Sequence, residues 1–124
     1  MNRKISILLV DDSKVVRKRL KEMLAEACSR CEILEADAPT AAIAILKRRE
    51  IDVVVMDIRM PGGSGMDAIA EIKETRPDAM VIMLTNYSES YYRDRCIEMG
   101  ADLFFDKSSE FDQVIDAVRT LVNR

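Results

Sequence analysis

Ile51-Asp52-Val53-Val54-Val55-Met56-Asp57-Ile58-Arg59-Met60-Pro61-Gly62-Gly63-Ser64-Gly65 is the stretch on which the fold turns. Residues 53–56 are apolar without interruption and mostly β-branched, the pattern of a strand buried on both faces of a parallel sheet. Asp57 ends the run. A carboxylate pointing into a core is costly, so this end of the strand is expected at the sheet's carboxyl edge, where open α/β sheets place their ligand sites. Pro61, Gly62, Gly63 and Gly65 are then expected to forbid both helix and ladder and to turn the chain away in a loop beside Asp57.

Strand and helix signals alternate on both sides of this stretch. Residues 5–10 read as a first buried strand running into Asp11-Asp12-Ser13. A helix follows, with Val16, Leu20, Met23, Leu24 and Ala27 at helical spacing and Lys14, Arg17, Lys18 and Lys21 on a solvated face. Residues 33–36 form a weaker strand near an edge, and 38–49 an alanine-rich helix with Pro39 in its first turn. Beyond the opening stretch come a helix over 66–75, a strand over 79–85, a helix over 90–99 with Gly100 as its C-cap, a strand over 102–107 and a helix over 111–122. Five strand-helix units predict an α/β fold, a doubly wound parallel sheet with helices on both faces; a closed barrel would need eight. The methionines fall mainly in these elements and read as core filler.

The chain's 124 residues fit one domain, 1–124, able to bury a core without staples. With 48% hydrophobic and 33% charged residues, a net charge of -3 and no run of like charge, it is electrostatically a poor nucleic-acid binder. The start, Met1-Asn2-Arg3-Lys4, leads into a short strand rather than a signal core, and no apolar run approaches membrane-spanning length, so a soluble cytoplasmic protein is expected. Cys28, Cys31 and Cys96 cannot all pair, which argues against a disulfide framework. Cys28-Ser29-Arg30-Cys31 has redox spacing but follows a helix, where no helix amino terminus activates a thiol, so redox chemistry and a zinc site are both set aside. The chain has no histidine. That excludes Ser-His and Cys-His nucleophile pairs, a histidine general base and most zinc catalysis.

Parallel strands connected in this way end together. Asp11, Asp12, Asp57, Thr85 and Lys107 are therefore expected to converge at one edge, although they are scattered along the chain. Three carboxylates crowded in a cleft repel one another, and one lysine cannot neutralise them; a divalent cation can. Magnesium, which takes carboxylate, water and phosphate oxygens, suits a donor set without histidine or thiolate.

Asp11-Asp12, Met56-Asp57-Ile58-Arg59-Met60-Pro61-Gly62, Thr85 and Lys107, in this order and spacing, resemble the receiver domain of two-component response regulators over the whole chain. The resemblance implies a flavodoxin-like fold with strand order 2-1-3-4-5, an aspartate that accepts a phosphoryl group from a histidine kinase or phosphotransfer protein, and bound Mg2+. Carried over, Asp57 is the nucleophile and the residue modified to aspartyl phosphate. Asp12, Asp57 and the backbone carbonyl of Arg59 hold the metal directly, and Asp11 mainly through water. Lys107 and the magnesium offset charge during transfer, and the Thr85 hydroxyl donates to the arrived phosphoryl group. The resemblance also implies a switch in which Thr85 moves inward with an aromatic on the fifth strand, here Phe104, and a signalling face of helix four, strand five and helix five, with Tyr91 and Tyr92 as contacts for a downstream protein. Such a domain catalyses only its own phosphorylation and dephosphorylation.

Four positions qualify this, two of them departures from the family pattern. Ser108 follows Lys107 where a proline is common, and Asn86 follows Thr85 where a smaller residue is usual and narrows access. Arg59 and Tyr87, each two residues past a site residue, are placed to obstruct an attacking water, which predicts slow intrinsic loss of phosphate. A phosphatase would need an aspartate where Arg59 stands, and Asp11-Asp12 would repel a flavin phosphate, so neither rival reading fits. A phosphorylation-independent interaction module, or the receiver part of a longer transcriptional regulator, remains the alternative. The cognate kinase, the output target and a phosphorylation-dependent dimer stay open.

Overall fold

The computed structural model describes residues 4–60 and 63–123. Five parallel strands, β1 (Ile5–Val10), β2 (Cys31–Ala36), β3 (Val53–Met56), β6 (Met80–Thr85) and β7 (Leu103–Asp106), form one sheet in the order β2-β1-β3-β6-β7. Counting only these strands, that is the expected order 2-1-3-4-5. The register brings Ala36, Val10, Met56 and Met83 side by side, with Thr85 opposite Asp106, so the carboxyl ends lie along one edge.

Alternation along each strand divides the core in two. Ile7, Leu9, Val53, Val55, Ile82 and Leu84 face α1 (Lys14–Ala27) and α5 (Phe111–Val122), meeting Leu20, Leu24, Val114 and Val118. Leu8, Val10, Val54, Met56, Val81 and Met83 face the opposite way, toward α2 (Pro39–Arg48), α3 (Gly65–Thr75) and α4 (Ser90–Glu98). Burial on both sides is why these strands are apolar throughout rather than alternating. The helices start where local chemistry allows. Ser13 caps α1 by accepting from the Val16 N–H, Ser64 caps α3 through the Met66 N–H, and Pro39 opens α2, where no donor is needed. α4 ends at Glu98 with Met99 as its C-cap, and Gly100, the expected cap, stands one place further on at φ +114°. Among the described residues, no helix is long and apolar enough to cross a membrane.

Two expectations need correction. The segment after Asp57 was expected to hold no ladder, yet β4 (Arg59–Met60) and β5 (Gly63–Ser64) form a two-residue antiparallel pair, and α3 begins at Gly65. Pro61 and Gly62, which join the pair, lie outside the described residues. A glycine weakens a strand without forbidding it, so Gly63, at φ +156°, takes a place in so short a pair. The second correction concerns cysteine. Cys28 and Cys31 form a disulfide with Cα atoms 5.5 Å apart, while Cys96 is free and buried. The pairing is a local staple across the corner between α1 and β2, which begins at Cys31 itself. Spacing alone could not separate it from an unpaired couple, because the pair depends on Cys28 leaving the helix in an extended conformation as its C-cap.

Candidate functional site

Every strand that ends at the carboxyl edge near β3 delivers a polar group there. Asp11 and Asp12 follow β1, Asp57 follows β3, Thr85 closes β6 and Lys107 follows β7. Asp11 is 5% and Asp57 8% exposed, whereas Asp12 faces solvent. Buried carboxylates demand partners, and each oxygen of this pair has one. Lys107 Nζ donates to Asp57 Oδ2 at 2.8 Å and to Asp11 Oδ2 at 2.9 Å. The Ile58 N–H donates to Asp57 Oδ1 at 2.7 Å and the Ser13 N–H to Asp11 Oδ1 at 2.8 Å. Burial alone would pull the Lys107 ammonium's pKa down, but its hydrogen bonds to Asp57 and Asp11 outweigh that and hold it above the ordinary lysine value.

Asp11, Asp12 and Asp57 each offer a carboxylate oxygen, all within 4.8 Å of one another. A cluster of hard, anionic oxygens facing solvent on the Asp12 side fits magnesium or calcium and offers nothing to a soft metal. Gly65 makes this compactness possible. Its N–H donates to the Ile58 carbonyl at 2.6 Å, and a Cβ at this position would stand 1.9 Å from the Asp57 carbonyl oxygen.

Thr85 is fully buried, and its Oγ1 accepts from the Tyr87 N–H at 3.1 Å. Phe104 lies opposite Met83 in the sheet register and is 4% exposed, so the aromatic expected to swing inward is already inside. The Arg93 guanidinium of α4 stands 5.2 Å from its ring centroid and also approaches Glu110 at 3.9 Å. The side chain of Arg59 meets two tyrosines. It donates to the Tyr92 hydroxyl at 3.1 Å and lies 4.7 Å over the Tyr87 ring. Tyr91 of α4 is 65% exposed.

Two residues at this edge escaped the sequence reading. Arg17, assigned there to a solvated face, turns back to donate to the Asp11 carbonyl at 2.6 Å and to Glu35 of β2 at 2.9 Å. Its position in the first turns of α1, directly after the Asp11-Asp12-Ser13 corner, was the available signal. Asp106 rebuilds the loop that Ser108 leaves without a proline. Its Oδ1 accepts from the Ser108 hydroxyl at 2.6 Å and the Ser108 N–H at 2.8 Å, and the Ser108 hydroxyl above all holds its pKa down at about 2. Among the described residues no peptide bond is cis.

The model of the family described as "Response regulator receiver domain" matches residues 7–119. The chain is 35% identical over 112 residues to the chemotaxis protein CheY of Halobacterium salinarum, covering 90% of this chain and 92% of that protein. It is 29% identical over 115 residues to the response regulator GacA of Pseudomonas aeruginosa, covering 93% of this chain but 54% of GacA. The chain thus spans about half the length of several curated relatives, 54% in that case and 56% in the Fimbriae Z protein of Salmonella typhimurium. Among solved structures, the BeF3-activated DrrB receiver domain superposes with a TM-score of 0.86 at 27% identity, covering 98% of this chain and 100% of that one. Receiver domains of this family are signalling proteins rather than turnover enzymes. A family match running from β1 into the last turns of α5 takes in both core layers and all the strand ends that carry the acidic edge, and the chain belongs to the response regulator receiver domains of two-component signalling.

Proposed function

We propose that the chain is a phosphorylation-activated receiver in which Asp57 accepts a phosphoryl group from a partner histidine kinase or phosphotransfer protein. The observation that carries this is the joint hold of Lys107 on Asp57 and Asp11, with Asp12 beside them. A carboxylate oxygen of Asp57 forms the bond to phosphorus while the donor's bond to phosphorus breaks, and the donor departs with that electron pair. Asp11, Asp12, Asp57 and the Arg59 carbonyl would hold Mg2+, which supplies positive charge for the transferring oxygens when bound. Lys107, already protonated and donating to Asp57, supplies a second positive charge without having to be brought in. The Thr85 hydroxyl donates to a phosphoryl oxygen after transfer, and Phe104 and the surface of α4, β7 and α5 carry the change to a downstream protein. Arg59 and Tyr87 crowd the approach of water, so the phosphoryl group is lost slowly. Residues 1–124 act as one domain in the cytoplasm, alone or as the receiver part of a longer regulator.

The test is incubation with Mg2+ and acetyl phosphate, followed by intact mass beside an Asp57→Asn control. The expected result is a gain of one phosphoryl group, absent in the control and abolished by chelator. No gain in the unaltered protein would refute the acceptor role, leaving an interaction module that works without phosphorylation.

A further inference from the structure

α4 is the least firmly seated helix of the fold. It buries Cys96 alone, whereas α3 buries Gly65, Ala68, Ile69 and Ile72, and α5 buries Phe111, Val114, Ile115 and Val118. What joins α4 to the acidic edge is a set of side-chain contacts. Arg59 donates to the Tyr92 hydroxyl at 3.1 Å and covers the Tyr87 ring at 4.7 Å. Tyr87 and Tyr92 meet edge to face with centroids 5.8 Å apart, and Tyr91 meets Tyr92 in the same way at 5.4 Å. An exposed arginine ordinarily keeps its rotamer freedom, so holding this one takes both the phenol and the ring.

Two features tie this arrangement to the state of Asp57. Arg59 stands two residues past it, and a guanidinium prefers a doubly charged phosphoryl group to a neutral phenol, because charge-assisted bidentate bonds are shorter and stronger. The Tyr87 backbone is fixed by donating to Thr85 Oγ1, the same hydroxyl that would turn to a phosphoryl oxygen. Arrival of that group therefore acts on both supports of the contact. Arg59 acquires a better partner, and Thr85, which can donate to the phosphoryl oxygen while still accepting from the Tyr87 N–H, carries the Tyr87 backbone with it as it turns.

We infer that Tyr92 is a positioning residue for the resting state: it holds Arg59 on Tyr87 and so latches α4 to the acidic edge until Asp57 is phosphorylated. The inference rests on Asp57 being the acceptor. A contact present only at rest opposes activation, so removing it favours the activated form by the free energy the contact contributes.

All three tyrosines of the chain, Tyr87, Tyr91 and Tyr92, lie in this cluster, and the chain has no tryptophan, so tyrosine emission reports on the latch itself. The experiment titrates the full chain with beryllofluoride in the presence of Mg2+, comparing the unaltered protein, Tyr92→Phe, Arg59→Ala and the double variant. Beryllofluoride should change tyrosine emission of the unaltered protein. Tyr92→Phe should bind it about fivefold more tightly, the factor carried by one ordinary net hydrogen bond. In the Arg59→Ala background, Tyr92→Phe should change the affinity less than about twofold, because the partner is already gone. An equal or weaker affinity in Tyr92→Phe, or an undiminished effect without Arg59, overturns the latch while leaving the acceptor reading standing. No binding to the unaltered protein overturns both. A loss of stability alone would weaken binding, so a merely structural role for Tyr92 predicts the opposite sign.

Discussion

Replacing Lys107 by methionine keeps most of the side chain's volume and removes its charge from between two buried carboxylates. At an effective dielectric of about 20, unit charges 2.8 and 2.9 Å apart interact by about 6 kcal/mol each. The carboxylates that remain lie within 4.8 Å of one another, a mutual repulsion of about 3 kcal/mol or more by the same rule. Against this stands the cost of burying the ammonium itself, which the variant no longer bears. Measured losses on breaking such buried pairs are about 3–5 kcal/mol, and that is the expected destabilisation in chelator. With a urea slope of about 2 kcal/mol/M for a domain this size, the midpoint should fall by about 1.5–2.5 M. Magnesium should narrow the gap by restoring positive charge. The pH dependence tests the cause. Lys107 holds its proton more tightly folded than unfolded, so its contribution is complete below the unfolded value near 10.5 and is lost as pH rises through the higher folded value. The gap between the two proteins should therefore stay constant from pH 7 to 10 and close above. A gap under about 1 kcal/mol at neutral pH, or one that closes between pH 7 and 9, would show that burial governs Lys107 and would refute the charge-balance argument.

Gly65→Ala places a Cβ 1.9 Å from the Asp57 carbonyl oxygen, so the end of β3 and the start of α3 must separate. Urea unfolding should show a loss of about 3 kcal/mol or more, and phosphorylation by acetyl phosphate should drop in step; an unchanged midpoint would mean the approach is relaxed at little cost. Reducing the Cys28–Cys31 disulfide should lower stability by about 2 kcal/mol, the chain-entropy value for so short a loop, or about 6–10 °C in melting temperature. Under native conditions a thiol reagent should then label two sites and not Cys96, whose burial pushes its thiol up to about 11; labelling of three sites, or melting curves that coincide with and without reductant, would count against the staple.

What could be read from the chain, and what could not, follows the range of the forces involved. Strands buried on both faces announce themselves because each residue must be apolar, and a polar residue at the end of such a run has only the sheet edge to occupy; Asp11, Asp57, Thr85 and Lys107 were legible for that reason. The contacts that escaped notice join residues whose spacing carries no period: Arg17 with Asp11 and Glu35, Arg59 with Tyr92, Arg93 with Phe104 and Glu110. Their partners are chosen by how helices dock, which no local pattern encodes. The seat of α4 is the clearest instance. Its residues form a helix, but with Cys96 alone buried they do not specify where that helix rests. A helix seated by several core side chains would need more free energy to move than one phosphoryl group can supply through a hydroxyl and a guanidinium. One seated largely by Arg59 and Arg93 lies within that reach, since local elements with few buried apolar contacts open at the lowest cost. The same weakness of pattern that hid the docking of α4 is what a switch element requires.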